Sequence, residues 1–581
     1  MPYRTLLFLA LLQSLAVAQT DADRLHKLFS DYYENFVRNF PETATSIGRN
    51  EFNHLWTDWS PAAIERRRVE REKYLHDLES FSPAKLGEQD RLSWQLLRYQ
   101  IHQTADQEPL RVFLLPVSQM GGFHTGVFQT IEQMPTRTVK DYENIVARID
   151  ALPVYVDRHI ANFREAIRRG LTQPRIVVEL ASRQVDAQMQ PSGAESPLLA
   201  AFRRFPANMP KPDQERLRAQ AEGAYTRSFQ PAWRKLLAFY TETYATKARL
   251  STSMSDLPNG ADYYAMSVRT YTTTQMAPRA IHELGQREVK RIEAEMEKVA
   301  AETGFHGTLN EFERKLESSP EFLFHDREEM LVYCRNAAMI AEPELPRLFK
   351  KLPRMPFGIR AIPEDREAST ASHYNGPATD GSRAGFVYIN CYQPEKQVKY
   401  NKEALILHEG VPGHHLQIAL QREIEGLPEF RKSAGYSAFS EGWGLYAESL
   451  GAELGLYRDP YSRFGRLSSE RFRAARLVID TGLHAMGWSR AQAIDYFHTH
   501  AAGMSVAEID RYIAWPGQAL SYKMGELKIT ELRRLAEQKL GSRFDIREFH
   551  DVVLRNGALP LEMLEEQVMA YINAALRRTG P

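Results

Sequence analysis

Residues 405–417 read LILHEGVPGHHLQ. His408, Glu409, His414 and His415 place three imidazoles and a carboxylate within eight residues, behind an apolar run that needs burial. Imidazole nitrogens are the commonest protein ligands for zinc. A Glu beside a ligating His is well placed to deprotonate a metal-bound water. The other reading, a surface helix that happens to carry histidines, sits poorly with Leu405-Ile406-Leu407, whose burial carries the adjoining histidines into the interior.

The spacing sets a geometric problem. In HExxH sites the two His lie four apart, one helical turn, and face one metal. Here the residue four after His408 is Pro412. In a regular helix His414 would be about 240° round and about 9 Å along, and His415 about 10.5 Å along. Neither could share an ion whose bonds to nitrogen are about 2.1 Å. The helix must therefore break. Pro412 lacks the N–H that would bond the His408 carbonyl and clashes with it, and Gly410 and Gly413 let the backbone absorb the extra residues.

A His₂ site still needs a carboxylate, since a catalytic zinc normally has three protein ligands and an open position. Residues 437–449 read SAFSEGWGLYAES, with Glu441 and Glu448 seven apart on nearly one helical face. Glu441 is the expected ligand. Glu448 is the runner-up, or an acceptor that orients a ligand imidazole.

Three more stretches carry candidates. Residues 373–383 are turn-rich, and Gly385–Asn390 reads as a strand. That strand is either core or an exposed edge able to pair with an extended substrate. Residues 476–488, RLVIDTGLHAMGW, put Asp480 and His484 one turn apart, as a structural pair or with His484 touching substrate. Residues 511–525, RYIAWPGQALSYKMG, offer Tyr522 either as a core phenol or as a donor to a developing oxyanion. His282-Glu283 serves as a control: no His follows within seven residues and the flanks are charged, so it reads as surface.

The rest of the chain reads as helix nearly throughout. Ser60-Pro61, Thr138 and Pro278 are start signals, and residues 212–248 and 278–302 are long and periodic. The expectation is one large helical body, with lobe boundaries near 191–212 and 255–262. Residues 1–18 carry Arg4, an apolar run and Ala16-Val17-Ala18, the pattern of a cleaved signal peptide, leaving a domain of residues 19–581 outside the cytoplasm. No Cys follows that cleavage site, which argues against lipid attachment there, and no later apolar run is long enough to span a membrane. Lys plus Arg and Asp plus Glu are both 74, so a nucleic-acid or anionic-membrane partner is not expected. Cys334 and Cys391 could form one disulfide or stay as free thiols.

HEGVPGHHLQ (408–417), SEGWGLYAE (440–448), RLVIDTG with His484, PGQALSYKMG (516–525) and DGSRAGFVYIN (380–390) together resemble the bacterial family catalogued as domain of unknown function 885. That family is grouped with the helical zincin peptidases, which include thimet oligopeptidase, angiotensin-converting enzyme and the thermostable carboxypeptidases. The resemblance implies a mainly α fold: a large two-lobed zincin-like body around a deep cleft, with a small β-sheet next to the metal-binding helix. Relatives often read HE-x-GH, which favours His414 over His415 as the second ligand. It further implies His408 and Glu441 as the other ligands of one Zn²⁺, Glu409 as general base and Tyr522 as transition-state donor.

The expected function is a secreted or periplasmic zinc metallopeptidase cleaving short peptides through a zinc-activated water. Tyr388 to Asn390 would pair with the substrate backbone, and Arg383 or Lys523 would hold a terminal carboxylate. The alternatives are a zinc hydrolase of a non-peptide amide or ester, and a non-catalytic extracytoplasmic binding protein.

Overall fold

A computed structural model describes residues 2–191, 193–367, 370–377, 383–501 and 505–577, with side chains from Asp21 onward except 365–366. The signal segment expected at 1–18 lies outside the described side chains, and residues 380–382 lie outside the described residues. Among the described residues the chain is mainly helical, with one small three-stranded sheet. It divides into two compact units, Met1–Ser251 with Pro428–Ser433, and Thr252–Leu427 with Ala434–Pro581. Among the described residues no helix is long and apolar enough to cross a membrane.

In the first unit the start signals act as the sequence predicts. The Ser60 side chain accepts from the Ala63 N–H ahead of helix Pro61–Glu79. Thr138 and Asp141 form a reciprocal capping box on helix Val139–Asp150, satisfying donors that a helix start leaves open. The stripe of that helix, Tyr142, Ile145 and Ile149, joins a mixed aliphatic and aromatic core with Phe123, Phe163 and Trp233.

The second unit holds the candidate site. Helix Pro278–Glu302 packs along helix Pro460–Ala485 and buries Ile281, Val289 and Ile292. Gly285 makes the approach possible: a β-carbon there would lie 2.7 Å from Leu477 Cβ. The same packing corrects the reading of His282 as surface. It is buried, with Nδ1 2.8 Å from the Thr481 hydroxyl, because the helix turns this face inward despite its charged flanks.

The sheet has the order β1 (Phe357–Ala361), β3 (Gly385–Ile389), β2 (His373–Asn375), with β3 parallel to β1 and antiparallel to β2. The strand expected from Gly385 onward is present, but it is the middle strand. An exposed edge at Tyr388 is therefore corrected: Tyr388 pairs with Arg360 on one side and His373 on the other. Cys334 and Cys391 are both free and buried.

Candidate metal centre

The metal-motif helix breaks where the sequence demands. Lys402–Glu409 is helical and the Gly410 N–H still reaches the Ile406 carbonyl at 2.8 Å. After a cis Val411–Pro412 peptide, a second helix runs His414–Glu423. Gly413 is required at the junction, since a β-carbon would stand 2.0 Å from the His408 carbonyl oxygen and 2.3 Å from that of Leu407. The Trp443 indole N–H donates to the Pro412 carbonyl at 2.8 Å and pins the break to helix Ser437–Ser449.

This break brings together what a straight helix would separate. His408 Nε2 and His414 Nε2 each lie 3.5 Å from the same oxygen, Glu441 Oε2. The three ligand atoms fall within 4.8 Å of one another. Two bonds of about 2.1 Å at a tetrahedral angle hold their ligand atoms about 3.4 Å apart. The two 3.5 Å separations to Glu441 fit that edge better than they fit direct hydrogen bonds, which run to about 3.2 Å. His408, His414 and Glu441 are thus suited in type and spacing to a zinc-sized ion.

The surroundings prepare His408 for ligation. Its Nδ1 lies 2.9 Å from Glu448 Oε1, in a pair that is almost wholly buried. With Nδ1–H donating to Glu448, Nε2 is the ring nitrogen that faces Glu441, carrying a proton that a metal ion would displace. Arg473 in turn stands 3.6 Å from Glu448. Burial alone would depress the His408 pKa, yet the Glu441 and Glu448 carboxylates outweigh it and raise it to about 9. For Glu441, burial works against ionisation, and the two imidazoles overcome it and hold the carboxyl well below its usual range. The cluster is electrostatically built for a cation.

Gly444 sits under His408, where a β-carbon would be 2.7 Å from the ring. Tyr522, at the start of helix Ser521–Leu540, stacks near the His408 ring with centroids 6.2 Å apart and planes 22° apart. Glu409 closes the first helix and is part-buried, and its charge adds to the field on His408. His415 points away from the cluster. It lies between the Tyr374 hydroxyl at 2.9 Å and the Met355 carbonyl at 3.1 Å, with the Phe357 ring tilted against it, and burial lowers its pKa to about 4.

Several expected substrate residues are engaged elsewhere. Lys523 is fully buried, 2.7 Å from both Glu470 and Glu526 and 3.2 Å from Glu288, so it has no part in holding a terminal carboxylate. His484 is also fully buried: Met254 N–H donates to Nδ1, and Nε2 lies 3.0 Å from the Tyr512 carbonyl. That environment is structural. Asn390 Nδ2 donates to the Glu367 and Thr370 carbonyls. Tyr388 stacks on His373, and exposed Arg383 donates to the Gly376 carbonyl.

Two arginines escaped the sequence reading. Arg473 and Arg476 are three apart on helix Pro460–Ala485, and Asp480 and His484 continue the same polar stripe at helical spacing. The signal was present in that periodicity, running back from RLVIDTG. Arg473 supports Glu448, and the Arg476 guanidinium lies 4.4 Å from the Tyr522 ring centroid.

Comparison with known proteins agrees on the family. Residues 41–568 match the family described as bacterial protein of unknown function (DUF885), and the chain belongs to it. Two solved structures are similar, each described as a "putative lipoprotein". The one from Colwellia psychrerythraea has a TM-score of 0.88 and 28% identity, over 95% of this chain and 99% of that one. The one from Shewanella oneidensis, of unknown function, has a TM-score of 0.74 and 16% identity, over 94% and 99% of the two chains, and speaks to the fold alone. No curated protein matches the chain.

Proposed function

We propose that this protein is a zinc-dependent metallopeptidase of the zincin-like helical class, hydrolysing short peptides outside the cytoplasm. The observation that carries the reading is the pair of 3.5 Å separations from Glu441 Oε2 to His408 Nε2 and His414 Nε2. Zinc held by these three residues would supply a Lewis acid for the scissile carbonyl and an acidified water. Glu409 would take the nucleophile's proton and deliver it to the leaving amine. Glu448 keeps His408 in the tautomer that leaves Nε2 free to ligate. Tyr522 would donate its hydroxyl to the developing oxyanion. The binding-protein alternative requires that the break at Pro412 keep the ligand set from assembling. The gathering of all three ligand atoms across that proline favours the enzyme instead. The signal pattern of residues 1–18 and the description of similar structures as lipoproteins support an extracytoplasmic location.

The test is metal content by elemental mass spectrometry, followed by incubation with a peptide mixture. Wild type and His415→Ala should hold one zinc per chain, and Glu441→Ala should hold none. Zinc-loaded wild type should cleave peptides, and Glu409→Gln should bind zinc without cleaving. A wild type that refuses added zinc, or that leaves all peptides intact when loaded, overturns the reading.

A further inference from the structure

With Lys523 and His484 withdrawn from substrate binding, a different cation stands beside the candidate centre. The Arg476 guanidinium lies against two aromatic rings, 4.4 Å from the centroid of Tyr522 and 4.2 Å from that of Phe472. Its Nε bonds the Tyr512 hydroxyl at 3.1 Å and its Nη2 bonds Glu508 Oε2 at 3.1 Å. Arg476 is 6% exposed, and its Nη1 is buried with no hydrogen-bond partner. The same Glu508 oxygen also takes Arg511 Nη1 at 3.1 Å. Two guanidinium groups therefore share one carboxylate. A buried cation without a full complement of acceptors is costly, and an arriving anion relieves that cost. A guanidinium with open N–H groups suits a carboxylate in particular, which can meet it with two oxygens.

We propose that Arg476, with Arg511 beside it, receives a carboxylate of the substrate, so that the site acts near the C-terminal end of short peptides. The proposal rests on the metallopeptidase reading. The separations of 6.2 Å from His408 to Tyr522 and 4.4 Å from Tyr522 to Arg476 keep the guanidinium within about 11 Å of the His408 ring. An extended chain covers about 3.3–3.6 Å per residue. The carboxylate thus belongs one to three residues beyond the cleaved bond. Tyr522 is part-exposed and lies against both groups. Moving it toward the substrate carbonyl would free the guanidinium face it covers, so one motion would serve both ends of the peptide.

The experiment is binding calorimetry on the zinc-loaded full chain carrying Glu409→Gln, so that peptides are not consumed. The probes are tetra-alanine, its C-terminal amide, and the amide of Ala-Ala-Ala-Glu. The free acid should bind about tenfold or more tighter than its amide, the worth of a charge-assisted hydrogen bond. Adding Arg476→Gln should erase the difference, and Arg476→Lys should keep part of it. Tight binding of the Glu-ended amide would assign the same seat to a side-chain carboxylate. Equal binding of tetra-alanine and its amide, or no binding of any probe, overturns the proposal without recourse to the arginine variants. If the chain without Glu409→Gln cleaves nothing but the acid preference holds, the carboxylate seat stands and the peptidase reading alone falls.

Discussion

Gly442 and Gly525 meet backbone to backbone where helices Ser437–Ser449 and Ser521–Leu540 cross. A β-carbon on Gly442 would stand 2.4 Å from Gly525 Cα, and one on Gly525 would stand 1.8 Å from the Ala438 carbonyl oxygen. The first helix carries Glu441 and the second carries Tyr522, so this contact sets the phenol relative to the ligand set. Neither glycine needs a left-handed backbone; both are required by proximity. Gly525→Ala should force the helices apart and cost about 1–3 kcal/mol or more, as overpacking does. Chemical denaturation reads the loss. An unchanged midpoint would mean the crossing yields more readily than its geometry implies.

The bond between His408 Nδ1 and Glu448 predicts a graded effect on metal affinity. Glu448→Gln keeps size but weakens the acceptor, and Arg473 then loses its charged partner. Zinc should still bind, with affinity lower by about 10–100-fold, the usual effect of removing such a supporting carboxylate. Competition with a chromophoric chelator measures it. Affinity equal to wild type would show that packing under Gly444 suffices to hold the ring.

How much of this could be read from the chain depended on range. The break at Pro412, the capped helix starts and the strand at Gly385–Ile389 follow from local rules, because the residues that decide them lie within a few positions of one another. Glu441, well past His414 in the chain, follows only from the need for a third ligand and the family resemblance. The role of Lys523 did not follow. Its partners Glu470 and Glu288 come from distant helices, and no local pattern shows that a lysine after a tyrosine will be enclosed. The middle position of β3 was hidden for the same reason, since β1 lies far upstream and strand order is a tertiary choice. His415 and His414 were ambiguous because a broken helix has no fixed angular step. The structure separates them by giving His415 the partners Tyr374 and Met355.

Asp480 predicts a pH dependence of stability. Burial raises its pKa to about 7, against the pull of the Tyr264 hydroxyl at 2.6 Å and the Gly517 N–H at 3.0 Å. An ordinary Asp titrates near 3.9, so between about pH 4 and about pH 7 the folded state binds more protons than the unfolded one. Stability contributed by this group is full below that window and is lost as pH rises through it, by at most about 4 kcal/mol. Asp480→Asn keeps an oxygen for Tyr264 and Gly517 and removes the titration. The variant should therefore gain on wild type as pH rises across the window in equilibrium denaturation. A difference that stays flat with pH would show that Asp480 is ionised throughout.

Lys523 gives the sharpest contrast with the sequence-based expectation. If it held a substrate carboxylate, replacing it would raise KM and leave the fold intact. Instead it neutralises Glu470 and Glu526 from within the second unit, with Glu288 close by and Arg291 and Arg466 also bonded to Glu470. The ammonium stays charged because these acids outweigh the burial that would otherwise lower its pKa. Lys523→Met fits the volume but leaves Glu526, whose pKa burial already raises, without its cation. Breaking one side of a buried ion pair costs about 3–5 kcal/mol. The variant should unfold at markedly lower denaturant, while any zinc-loaded folded fraction keeps the acid-over-amide preference assigned to Arg476. A stable Lys523→Met protein that no longer distinguishes tetra-alanine from its amide would return the terminal carboxylate to Lys523.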